Sequence, residues 1–135
     1  MAPTTRVPST SPYAGSIGFS AAVRAGAATY VSGMTALGAD GEIAGGEDAY
    51  AQARAALAKI AAALEAAGAT TTDVVRTRMY LTSARDADAV GRAHAEFFAG
   101  AMPAATMLVC GLLDPRMKVE IEAVAHAGGR LESSA

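Results

Sequence analysis

Two acids, Glu120 and Glu122, interrupt an otherwise apolar run, Val119-Glu120-Ile121-Glu122-Ala123, late in a chain of 135 residues. Residues two apart on a strand share a face. Lys118, Glu120 and Glu122 therefore project to one side, and Val119, Ile121 and Ala123 to the other, which reads as core. A charge on a greasy strand costs free energy unless it is paired or exposed. Burial raises a carboxyl pKa and a nearby cation lowers it. A carboxyl group tuned near the working pH can act in turn as proton donor and acceptor. Glu120 is the candidate for that work, and Glu122 reads as structural.

Other residues capable of chemistry give weaker signals. Cys110 counts to the parity opposite Met107 and Val109 and reads as a small buried hydrophobe facing helices. His94 lies beside apolar positions and His126 near the chain end; neither is spaced with the other or with Cys110 as metal ligands are. Arg116, in the Asp114-Pro115-Arg116 turn, reads as solvated unless the turn borders a cleft. Gly45-Gly46 lacks the strand-then-helix glycine spacing of a dinucleotide loop. These spacings favour neither a zinc site nor a dinucleotide loop.

The elements that must position these residues follow from composition and pattern. The length suits one domain with its own core, and 52% hydrophobic residues mark it as globular. A net charge of −2 argues against a dedicated nucleic-acid binder. One cysteine allows no internal disulfide and fits a reducing, cytoplasmic setting. Residues 1–10 carry no apolar run of a signal peptide, and no membrane span is expected.

Residues 1–12, rich in Pro, Ser and Thr, are expected to form a loose arm, 13–127 a single domain, and 128–135 a loose tail. Ile17 to Val23 and Ala28 to Ser32 read as a hairpin turning at Gly26. Gly33 then interrupts the second strand, where a glycine suggests a bulge or a close approach to the backbone. Asp48 to Ala67 is a helix with Leu57, Ile60 and Leu64 on one stripe, Asp48 as N-cap and Gly68 past its end. Val74 to Leu81 alternates, with Val75, Thr77, Met79 and Leu81 on one side and Arg76, Arg78 and Tyr80 on the other. Ser83 and Asp86 form a variant capping box before a second helix. That helix reaches about Ala99, with Val90, Ala93, Phe97 and Phe98 inward. Two strands joined by a Leu-Leu-Asp-Pro turn complete a β-β-(β)-α-β-α-β-β order.

Each helix returns the chain to a parallel strand, and such crossovers are right-handed. Both helices are therefore expected on one side of the sheet. The other side is expected to carry Arg76, Arg78, Tyr80, Met107, Val109 and Glu120. That mixture is too apolar to be simply solvated and too charged to be core, and packing several copies face to face resolves it.

Ile17-Gly18-Phe19-Ser20-Ala21-Ala22-Val23-Arg24-Ala25-Gly26 and Tyr30-Val31-Ser32-Gly33 resemble the opening signature of the RidA (YjgF) family. Asp73-Val74-Val75-Arg76-Thr77, Phe97-Phe98, Met102-Pro103-Ala104 and Val119-Glu120-Ile121-Glu122-Ala123 continue the resemblance, which spans residues 13–126. It implies a chorismate-mutase-like α+β fold with a mixed sheet and two helices on one face. It also implies a homotrimer with clefts between subunits, and hydrolysis of reactive enamines and imines to carbonyl compounds and ammonia, with no metal or organic cofactor. Such a hydrolysis needs water at carbon and a proton at nitrogen, and an enamine first needs a proton at carbon; one carboxyl can serve each step.

The sequence departs from the family where the substrate is held. An arginine that clamps the substrate carboxylate in deaminating members is here Ala105. A tyrosine is here Phe19, an asparagine Gly91, and a small pocket residue Met107. The resemblance leaves Glu120 as catalytic residue and Phe19, Gly33, Arg78, Ala105 and Met107 as substrate-binding positions. Glu120 is expected in a cleft lined by Phe19, Ala105, Met107 and Val109. Arg78 is expected to pair with Glu120 or Glu122, or to replace the missing clamp. Two functions stay open: an enzyme acting on imines, enamines or related carbonyl compounds, and a non-catalytic trimer that binds a metabolite or a protein. The acidic balance gives no support to the nuclease activity ascribed to some relatives.

Overall fold

In the computed structural model, which describes residues 4–129, six strands form one mixed sheet. They are β1 (Thr5–Val7), β2 (Ala22–Ala25), β3 (Ala28–Met34), β4 (Val74–Leu81), β5 (Ala104–Val109) and β6 (Val119–His126), in the spatial order β1-β2-β3-β6-β4-β5. A short helix α1 (Ala14–Ile17) precedes β2, and two longer ones, α2 (Ala49–Ala66) and α3 (Ala87–Phe98), follow β3 and β4. β6 pairs antiparallel with both β3 and β4, and β4 pairs parallel with β5. β3, β4 and β5 therefore run the same way, joined by two helical crossovers, and the α+β fold is as expected.

The core lies between the sheet and the two long helices. Val119, Ile121, Ala123 and Ala125 of β6 are buried, together with Leu57, Ile60 and Leu64 of α2 and Val90, Ala93 and Phe98 of α3. Ala53, Ala56 and Ala63 let α2 approach the sheet closely. Its ends are fixed as the sequence predicts. The Asp48 side chain accepts from the Tyr50 and Ala51 N–H groups, and Gly68 sits past the end at φ 82°, where a left-handed residue suits glycine. The Arg24 guanidinium adds bonds to the Ala67 and Gly68 carbonyls at 3.1 and 3.0 Å.

Local readings shift in four places. Residues 1–12, expected as a loose arm, contain β1, which pairs with β2; residues 1–3 and the 130–135 part of the expected tail lie outside the described residues. Ile17 is not in a strand. It ends the turn of α1, closed by a Gly18 N–H to Ala14 carbonyl bond of 2.7 Å, and the strand starts at Ala22. A register shift between Val74 and Arg76 makes Val74, not Val75, the first buried residue of β4. Ser83 accepts from the Arg85 N–H, but Asp86 returns no bond, and its Oδ2 is buried without a partner among the described residues.

Candidate functional site

Glu120 sits on β6, the central strand, opposite Tyr80 of β4, and its side chain leaves the sheet on the face away from the core. β3 carries a register shift between Val31 and Met34 against β6, and Gly33 falls within it. The Glu120 carboxyl lies over this glycine: a Cβ added at Gly33 would come within 2.9 Å of Glu120 Cδ. The close approach anticipated at Gly33 is thus made by a side chain of the same protein.

Around this carboxyl opens a cleft of about 590 Å³. Ile17 lines it from the end of α1 and Phe19 from the segment after it, Ser32 and Gly33 from β3, and Leu113, Pro115 and Met117 from the loop before β6. The lining contains acids, Glu120 and Asp114, but neither lysine nor arginine among the described residues. Burial is the larger cause raising the Glu120 pKa, and the neighbouring Glu122 charge adds to it. Its carboxylate has no hydrogen-bond or ion-pair partner among the described residues. Glu122 is engaged instead by the Tyr80 hydroxyl, which donates to Oε1; that bond raises the tyrosine's own pKa.

Of the residues singled out in the sequence, Phe19 and Gly33 join Glu120 in the cleft. Arg78 is exposed and stands opposite Glu122 in the register. It forms no ion pair with either glutamate among the described residues, so the expected pairing is absent within one chain. Ala105, Met107 and Val109 pair with Thr77, Met79 and Leu81 on the parallel β4–β5 rungs, and rung partners share a face. They therefore point to the helix side, where Met107 Cε lies 3.9 Å from a Cβ position on Gly91. Thr106 is on the open face, accepting from Arg76 Nη2 at 2.7 Å. The expected side of β5 is thus reversed, and Cys110 has the open-face parity. As an edge strand exposed at Ala104, Ala105, Met107, Leu108 and Val109, β5 carries no alternation from which to read its inward face. The expected lining of the Glu120 cleft by Ala105, Met107 and Val109 is not met within one chain.

Three residues around the site had no role assigned from the sequence. Gln52 is fully buried. Its Nε2 donates to the Gly46 and Arg116 carbonyls at 2.6 and 3.0 Å, and its Oε1 accepts from the Lys118 N–H at 2.9 Å. It thereby fixes the loop that walls the cleft and the start of β6, two residues before Glu120. Its signal was a polar residue four before Ala56 and eight before Ile60, on the core stripe. Tyr80 was placed on the open face but not as the partner of Glu122. Lys59, beside the stripe residue Ile60, lines a second cavity. The remaining candidates are occupied elsewhere. Arg116 clasps Asp114 through Nε and Nη2 at 3.1 and 2.8 Å and holds that carboxyl down to about 2. His94 bonds Thr77 Oγ1 through Nε2 at 2.8 Å and packs 4.8 Å from the Phe98 ring. No cluster of three metal-ligating side chains occurs among the described residues, and none of their helices is long and apolar enough to cross a membrane.

Comparison with known proteins places this arrangement among relatives. Residues 10–127 match the family model described as endoribonuclease L-PSP. The chain is 41% identical over 124 residues to the uncharacterized protein SCO2049 of Streptomyces coelicolor, covering 91% of this chain and 92% of that one. Among solved structures it is similar to Rv2704 of Mycobacterium tuberculosis, a member of the YjgF/YER057c/UK114 family. The two are 40% identical, with 93% of this chain and all of the other covered at a TM-score of 0.83. It is also similar to YyfA of Yersinia pestis, of the conserved Rid protein family, at 25% identity, 93% and 100% coverage and a TM-score of 0.80.

Proposed function

From the premise that this chain belongs to the endoribonuclease L-PSP family, which takes in the YjgF and Rid proteins, we propose that it hydrolyses the C–N bond of a small imine or enamine. The observation that carries this reading is the Glu120 carboxyl: half-buried, unpaired by any cation among the described residues and raised in pKa in a cleft.

The chemistry follows from the two states of that carboxyl. In its acid form it delivers a proton to the β-carbon of an enamine, whose nitrogen lone pair shifts to give an iminium ion. As carboxylate it takes a proton from water as the water oxygen bonds to the iminium carbon. Returned to the nitrogen of the carbinolamine, that proton lets the C–N bond break. Ammonia leaves, and the hydroxyl collapses to a carbonyl with loss of its proton. The net change is imine plus water to carbonyl compound plus ammonia, with no cofactor required. A carboxyl with an ordinary pKa is almost wholly ionised at neutral pH and rarely available as the acid; raising it corrects that.

The working form in this proposal is a cytoplasmic homotrimer. β5 leaves an unpaired edge with Met107, Leu108 and Val109 exposed at 37%, 41% and 54%, and an apolar edge of this kind is usually covered. A neighbouring copy packed there would bring its own residues to the open face and complete the Glu120 cleft between subunits. Nuclease action, named in the family description, is not favoured: the net charge is −2 and the cleft lining offers a polyanion no lysine or arginine among the described residues.

The test is ammonia release from imino acids generated in situ, comparing the protein with Glu120→Gln. Activity that the substitution abolishes supports the reaction. Absence of turnover across imines of several sizes, acidic and neutral, refutes it and leaves a non-catalytic binding trimer as the reading.

A further inference from the structure

Beside the Glu120 cleft lies a second cavity of about 210 Å³, between the N-terminal segment, β3 and α2. The two share Ser11, Phe19, Ser32, Gly33, Thr35 and Leu37 in their walls, so they adjoin across the Gly33 bulge. Their chemistry differs. The larger holds two carboxylates, whereas the smaller contains no acid among the described residues and has one cation, Lys59.

Lys59 is half-buried, and its ammonium donates to the Leu37 carbonyl. That bond uses one of three N–H donors. No carboxylate pairs with it among the described residues, and burial pushes it below the usual lysine range. The surrounding hydroxyls also have donors to spare. Ser9 Oγ accepts from the Ser11 N–H, Ser11 Oγ from the Tyr13 N–H and Thr35 Oγ1 from the Leu37 N–H. Each oxygen is thus occupied as an acceptor while its own O–H has no acceptor among the described residues. A cavity rich in free donors, with a partly desolvated cation and no acid, suits an anion.

We infer that this cavity is a carboxylate subsite, in which Lys59 and the Ser9, Ser11 and Thr35 hydroxyls hold the acid group of a small molecule. The site does not depend on the proposed hydrolysis.

The protein has two lysines, Lys59 and Lys118, and Lys118 lines neither cavity. Selective ¹³C labelling of lysine gives a direct readout. Titration with pyruvate is expected to move the Lys59 ε-CH₂ signal saturably and leave Lys118 in place, while uncharged pyruvamide moves neither. Lys59→Met is expected to weaken pyruvate binding about ten- to a hundredfold, the effect of losing one charged hydrogen bond, and Lys59→Arg to retain most of it. No saturable shift at Lys59, or an equal shift with pyruvamide, overturns the subsite. If Lys59→Met does not fold, the wild-type titration decides alone. A saturable shift without turnover of any imine sinks the hydrolysis and keeps the subsite. Turnover dependent on Glu120, without a saturable pyruvate shift at Lys59, does the reverse.

Discussion

Gln52 offers the sharpest quantitative test of how the site is held. Gln52→Met preserves an unbranched side chain of similar bulk in a fully buried position and removes every polar contact. Three backbone groups lose their partner: the carbonyls of Gly46 and Arg116 and the N–H of Lys118. Each neutral hydrogen bond contributes about 1 kcal/mol net, so their sum is about 3 kcal/mol. Removing a buried amide recovers part of that, and a net destabilisation of about 1–3 kcal/mol is expected. For a chain of this length about 1 kcal/mol at the midpoint corresponds to roughly 3–4 °C in Tm. Thermal unfolding followed by circular dichroism, at one fixed protein concentration because association shifts Tm, should show a drop of about 3–12 °C. Hydrogen exchange localises the effect: the Lys118 amide should lose protection, while amides in the middle of α2 keep theirs below the global limit. Turnover should fall, because Lys118 immediately precedes the strand that carries Glu120. A Tm within about 1 °C of wild type together with unchanged Lys118 protection would refute the assignment of Gln52 as the link between these segments.

Gly33→Ala should move the Glu120 carboxyl aside, since the new Cβ would overlap a flexible side-chain end; φ at this residue is not in the left-handed region. Turnover is expected to fall at least tenfold with stability changed by less than about 1 kcal/mol, and retained kcat/KM would argue against contact between the two. Glu120 binds its proton more tightly folded than unfolded, so its contribution to stability declines as pH rises from the unfolded value through the raised one. Glu120→Gln should therefore raise Tm at neutral pH, and the gap should close in acid; a gap independent of pH would count against the raised pKa. His94 is shifted downward by burial. The unfolded state then binds the extra proton first, and stability present above the unfolded pKa is lost as pH falls through the folded one. His94→Gln should flatten the loss of Tm on the acid side of neutrality, and an unaltered slope would show that another group causes it.

How far the sequence carried depended on how each element is buried. β6 is covered on one face and central in the sheet, so its alternation reported true faces: Val119, Ile121, Ala123 and Ala125 went in and Glu120 and Glu122 stayed out. α2 declared both of its ends through Asp48 and Gly68. β5 misled because an edge strand with apolar residues on both sides has no contrast between them. The register shift at Val74–Arg76 was invisible to a count of two, which assumes an unbroken ladder. Ile17 looked like a strand residue on hydrophobicity alone, whereas the left-handed Gly18 after it stops a helical turn. In the site, Glu120 and Gly33 were legible because each violates its surroundings, an acid among aliphatics and a glycine inside a strand. Lys59 violates nothing locally. A lysine on a helix flank is ordinary, and only the tertiary placement of Ser9, Ser11 and Thr35 gives it a setting.

The strand that bears Glu120 is the last of the six in chain order, yet it occupies a slot between two strands made much earlier. Until Val119–His126 has been synthesised, β3 and β4 have no mutual hydrogen bonding, and each keeps a bare inner edge. The sheet can close only by a late insertion of long sequence separation, a topology associated with slow folding and with exposure of sticky intermediates on the way. Shortening the chain before Val119 would therefore do more than delete an active-site residue. It would leave two half-sheets with nothing to zip them, and the protein would be expected to accumulate as aggregate rather than as an inactive but folded molecule.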